Sequence, residues 1–132
     1  MSRRILDSSQ LISHWRHCRG GFSGSSTPNI VKNWARELIE LHDSSAIVTP
    51  VYIEFIAGVQ SHSELALARA YLSEFNILDE GRILVQDWEE AKRLAARVPP
   101  DRKRRQLGDC LILAIAIRLK YEVRTLDKGL RR

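Results

Sequence analysis

The segment Cys110–Leu119 has helix-forming composition and is apolar nearly all round, with Arg118 its one charged residue. Such a helix has no face to give to water and must lie inside the fold. The rest of the chain has to cover it from more than one side. Short β-branched or apolar segments at Arg3–Leu6, Ala46–Val48, Asn76–Leu78 and Glu122–Thr125 read as strands, with Arg82–Leu84 a weaker candidate. Amphipathic stretches lie between them. Asp7-Ser8-Ser9 precedes Leu11, Ile12 and Trp15, and Pro28 opens a helix with Ile30, Val31, Trp34 and Leu38 on one stripe. Thr49-Pro50 starts a third helix, Ser63–Phe75 a fourth, and Gln86–Val98 a fifth that ends at Pro99-Pro100. Strands alternating with helices predict an α/β fold with a parallel sheet covered on both faces.

At 132 residues, with 44% hydrophobic and 28% charged residues, residues 1–132 are expected to form a single domain. The longest apolar run, Leu111–Ile117, is far shorter than the roughly 20 residues of a membrane span. Arg3-Arg4-Ile5-Leu6 opens the chain without the long apolar core of a secretory signal. Two cysteines, Cys18 and Cys110, make no disulfide framework, and Cys110 reads as a small buried hydrophobe. The expected location is the cytoplasm.

Lys and Arg outnumber Asp and Glu by 21 to 16, a net charge of +5 that favours polyanionic partners. Arg97, Arg102, Lys103, Arg104 and Arg105 crowd one stretch just before Asp109. That run reads either as a solvated loop or as a phosphate-contacting one.

In open parallel sheets, ligands bind beyond the carboxyl ends of the strands. This rule selects four of the 16 acidic residues. Asp7 follows the first strand, Glu54 lies about a turn into the helix after the second, Asp109 heads the apolar helix, and Asp127 follows the last strand. Each has a simpler reading: Asp7 and Asp109 as helix caps, Glu54 as a surface residue, Asp127 as turn chemistry. Gathered at one edge, however, they repel unless a cation sits between them. Mg²⁺ or Mn²⁺, hard and oxygen-seeking, is the natural partner, and it suits phosphodiester hydrolysis.

The segments bearing these acids resemble the PIN-domain nucleases. The resemblance lies in Ile5-Leu6-Asp7-Ser8-Ser9-Gln10-Leu11-Ile12, Val48–Gly58 around Glu54, Leu107-Gly108-Asp109-Cys110 and Thr125-Leu126-Asp127-Lys128, in the family's order. It implies a three-layer α/β/α fold with a short, mainly parallel sheet. It also implies that Asp7, Glu54, Asp109 and Asp127 are metal-site acids, supported by the hydroxyls of Ser9 and Thr125. In length the chain is most like the VapC toxins of toxin–antitoxin pairs. That implies a Mg²⁺- or Mn²⁺-dependent endoribonuclease, a homodimer, an RNA substrate contacted by Arg102, Lys103, Arg104 and Arg105, and a cognate antitoxin. Ser9 and Gln10 stand where many members have Asn and an apolar residue, Leu130 where an aromatic is common, and the family's last strand is expected to be short or missing.

Two other classes fit parts of the pattern: a non-catalytic nucleic-acid-binding PIN-like module, and a Mg²⁺-binding receiver- or phosphatase-like domain. His14, His17 and Cys18 lie close in sequence, but no further zinc ligand is evident and surface histidines are expected. Ser23 lacks the spacing of a nucleophile elbow, and its glycine-rich surroundings lack the lysine of a P-loop. Trp15, Trp34 and Trp88 are expected to pack in the core or a dimer interface, ahead of stacking on bases.

Overall fold

The computed structural model describes residues 3–21, 26–97 and 106–125. Among these, β1 (Arg4–Leu6), β2 (Ala46–Ile47), β3 (Asn76–Ile77) and β4 (Glu122–Arg124) form an all-parallel sheet in the order β3-β2-β1-β4. Each strand reaches the next through two helices: α1 (Ser8–Gly21) and α2 (Pro28–His42), α3 (Thr49–Ala57) and α4 (His62–Leu72), α5 (Val85–Ala95) and α6 (Leu107–Leu119). The result is a three-layer α/β/α fold. The chain steps outwards from β1 to β3, then returns to place β4 on the other side of β1. A crevice therefore opens at the carboxyl ends of β1 and β4, where the direction of travel reverses.

Helix α6 meets the expectation for an all-round apolar helix. Its Ile112, Ile115 and Ala116 join the larger core, while Cys110, Leu111, Leu113 and Ala114 join Ala91 and Leu94 of α5 in a smaller one. The larger core is organised by aromatic rings. Trp15 of α1 meets Trp34 of α2, Phe55 of α3 and Tyr71 of α4 edge-on, with centroids 5.9, 5.6 and 5.0 Å away. Edge-to-face packing at these distances suits the ring quadrupoles.

The helix starts are set by local chemistry. Thr27 accepts the Ile30 N–H ahead of Pro28, and Ser61 accepts the Glu64 N–H. Helix α3 has no cap of its own, and buried Asp79, just beyond β3, reaches across to accept the Thr49 N–H at 2.9 Å.

Three sequence expectations need correction. Arg82–Leu84 is not a strand: the Leu84 N–H is donated to the Asp87 carboxylate, 2.9 Å away, rather than to a neighbouring strand. Helix α6 begins at Leu107, so Asp109 lies inside its first turn and does not cap it. The cause is the Gln106 carbonyl, which accepts the Cys110 N–H, while exposed Leu107 adds nothing to the apolar pattern. The fourth helix is His62–Leu72, shorter than its apolar spacing suggests.

Asp87 also ties α5 to α6, accepting from Arg118 Nε at 2.7 Å while almost fully buried. Asp87→Ala removes both the cap and the ion pair. It is expected to destabilise the fold by about 2–3 kcal/mol, below the range for fully buried pairs because Arg118 is partly exposed. Urea denaturation checks this, with Glu89→Ala, whose pair with Lys92 is exposed, leaving the midpoint essentially unchanged.

Candidate active site

Asp7 is the first residue after β1, and the sheet still holds it: its N–H is donated to the Arg124 carbonyl of β4 at 3.1 Å. The residue is 2% exposed, a burial that is costly for a carboxylate without partners. Ser9 Oγ donates to Oδ1 at 2.7 Å, the Gln10 N–H donates to the same oxygen at 3.3 Å, and Thr125 Oγ1 donates to Oδ2. The Ser9 and Thr125 hydroxyls lie 3.2 Å apart. Asp7 thus caps α1 and is oriented from β4 at once, so capping and a ligand role are compatible.

Glu54 projects from α3, half-buried, and its Oε2 accepts from Ser8 Oγ at 2.7 Å. Its other oxygen lies against Gly108 of α6. A Cβ at Gly108 would stand 1.9 Å from Glu54 Oε1 and 3.0 Å from its Cδ. The space vacated by that missing side chain is therefore filled by the Glu54 carboxylate. Asp109, next in sequence, is half-buried in the first turn of α6, where the helix dipole favours negative charge.

Asp7, Glu54 and Asp109 line one open cavity of about 980 Å³. The structure thus brings together three of the four selected acids, with Ser9 and Thr125 beside the first. Asp127 and the run Arg102, Lys103, Arg104 and Arg105 lie outside the described residues, as do Ser23 and the position of any last strand. The three carboxylates do not draw within 4.8 Å of one another as a trio. An all-oxygen donor set suits Mg²⁺, which keeps several of its waters and takes only one or two carboxylates directly.

Several lining residues are not singled out by the sequence. Ser8 holds Glu54, Gly108 makes room for it, and Arg16 places a cation in the wall. The spacing Ser9, Ile12, Ser13, Arg16 is one helical face, all of it lining the cavity. Trp15 and Trp34 are core residues as expected, but Trp88 is 44% exposed at the cavity. The apolar periodicity of α5 cannot distinguish a core face from one turned to a cleft.

No curated protein matches the chain. The family model described as PIN domain matches residues 5–132, from the first residues of β1 to the last of the sequence. With the carboxylates at the strand ends and the all-parallel sheet, the chain belongs to the PIN domain family.

Proposed function

We propose that this chain is a Mg²⁺- or Mn²⁺-dependent endoribonuclease and the toxin of a VapBC-type pair. PIN domains are generally metal-dependent nucleases, and a PIN nuclease binds nucleic acid. The observation that carries the reading is the meeting of Asp7, Glu54 and Asp109 from three separate elements on one cavity. Their donor set is all oxygen, the preference of a hard divalent cation. Asp7, Glu54 and Asp109 would hold the ion, with Asp127 as a fourth acid. When bound, it polarises a phosphoryl oxygen and lowers the pKa of an attacking water.

The chain's own residues do the positioning. Ser9 and Thr125 fix both oxygens of Asp7, and Ser8 fixes Glu54. Arg16 supplies a cation for a substrate phosphate, and the indole of Trp88 offers a face for an unpaired base. Arg102, Lys103, Arg104 and Arg105 would extend phosphate contact along the strand. At the cavity, Ile53 and Leu107 are exposed apolar side chains, a surface for a protein partner such as an antitoxin. The reading includes a homodimer, one functional unit over residues 1–132 and a cytoplasmic location. Among the described residues, no helix is long and apolar enough to cross a membrane. The receiver-like alternative has nothing to support it beside the PIN match.

Three experiments test the reading. Purified protein incubated with mixed tRNA and rRNA fragments should cleave them with Mg²⁺ or Mn²⁺ and stop in chelator, with single-stranded DNA alongside as the competing substrate. Asp109→Asn should lower the rate by at least about 100-fold, more than the usual loss for a residue that only supports a metal ligand. RNA binding without any metal-dependent cleavage would instead identify a non-catalytic module. Gly108→Ala should displace the Glu54 carboxylate and cost on the order of 100-fold in kcat. Its folding stability should hold or rise, because Ala is the better helix former; equal losses in both would remove Gly108 from the site. Replacing Arg102, Lys103, Arg104 and Arg105 together by Ala should weaken RNA binding and flatten its salt dependence by a log–log slope of about 3. An unchanged slope removes the loop from the substrate path.

A further inference from the structure

His14 and Cys18 stand one turn apart on α1, and α2 brings Glu37 against them. A ring nitrogen of His14, Sγ of Cys18 and a carboxylate oxygen of Glu37 all lie within 4.8 Å of one another. The third ligand that sequence spacing could not supply comes from a different helix, whereas His17 is not in the cluster. We propose that His14, Cys18 and Glu37 form a second metal site, specific for Zn²⁺ and separate from the carboxylate cavity, that clamps α1 to α2.

The geometry supports tetrahedral coordination. The His14 Nε2 to Cys18 Sγ distance is 3.5 Å. Bonds of about 2.0–2.1 Å to nitrogen and 2.3 Å to sulfur at a tetrahedral angle put the two ligands about 3.5 Å apart. A second contact sets the ring. Tyr71 of α4, fully buried, places its hydroxyl 2.8 Å from His14 Nδ1. With Nδ1–H donating to that hydroxyl, the outer partner that metal-bound histidines usually have, the lone pair of Nε2 is left for Cys18. Burial pushes the Tyr71 phenol far above its ordinary range, so this partner stays neutral.

Charge and solvation agree with this ligand set. Burial lowers the His14 pKa, and His17 and His42 lower it further against the opposing pull of Glu37. Burial, with Glu37 adding to it, raises the Cys18 thiol. Binding therefore breaks the S–H bond, forms a metal–thiolate bond and releases one proton to solvent. Three protein ligands leave the fourth position to water. The nitrogen and sulfur donors select against Mg²⁺, which the all-oxygen cavity suits.

Cobalt(II), which reports thiolate coordination by near-ultraviolet charge-transfer absorption, is the probe, with Zn²⁺ binding followed by equilibrium dialysis. The intact chain should develop the thiolate band at one equivalent of Co²⁺ and bind one Zn²⁺ that excess Mg²⁺ does not displace. Cys18→Ser should abolish the band, and Glu37→Gln should weaken Zn²⁺ binding at least about tenfold, both with unchanged far-ultraviolet circular dichroism. Asp7→Asn should leave the band intact. Absence of the band in the intact protein, its survival in Cys18→Ser, or its loss in Asp7→Asn overturns the proposal. A spectrum from oxygen ligands alone has the same consequence, leaving the 3.5 Å contact an ordinary thiol–imidazole hydrogen bond.

Discussion

A carboxylate on a residue only 2% exposed constrains everything around it, and Asp7 is that residue. Its charge is tolerable only because hydroxyls and a backbone N–H are delivered to both oxygens. Those donors come from two parts of the chain, the first turn of α1 and the end of β4, separated by more than a hundred residues. The carboxylate is satisfied only after β1 and β4 pair, with Ile5 opposite Val123 and Leu6 opposite Arg124. The crevice at the strand ends and the residue that occupies it are thus assembled in the same event.

The second carboxylate depends on the opposite device, an absence. Glu54 reaches the cavity because Gly108 has no side chain, and α6 can approach α3 that closely only if α6 is pinned on its other sides. The apolar residues all round α6 do the pinning, dividing themselves between two cores. The sequence feature that makes α6 a buried helix therefore also brings Asp109 and Gly108 beside Glu54. Arg118, at the far end of the same helix, is its one basic residue, and it is answered by the buried Asp87.

This explains which features could be read from the chain beforehand. The all-round apolar helix, the strand segments and the acids that follow them follow from periodicity and from the strand-end rule. They were enough for an α/β parallel fold and for selecting Asp7 and Asp109 at the strand-end edge, whereas Glu54 gained most from the family resemblance, since periodicity alone leaves it on a helix surface. Features created by contact between distant segments were not legible. Ser8 beside Asp7 looks like one more cap, Arg16 and Trp88 look like any surface cation and any apolar helix position, and Glu37 has no relation in sequence to His14. Helix α6 was placed three residues late because Gln106 receives its N–H without a capping side chain, and Leu107 is exposed. Ser9, which departs from the family's usual residue, nevertheless supplies a hydroxyl bond to Asp7, so the support is kept by different chemistry.

Helix α1 carries most of these relationships on separate faces. Leu11 and Trp15 face the core, where the indole meets aromatic rings from three other helices. Ser9, Ile12, Ser13 and Arg16 face the cavity. His14 and Cys18 face Glu37 and Tyr71. At 3.6 residues per turn these faces cannot move independently, and the distance from Asp7 to His14 is only about 10 Å along the axis. Whatever draws α1 towards α2 must also bear on the orientation of Ser8 and Ser9, and through them on Glu54 and Asp7. The aromatic packing around Trp15 resists such a shift, because close-packed rings transmit displacement rather than absorb it. The three faces are thereby held in a fixed relation to one another by a single element.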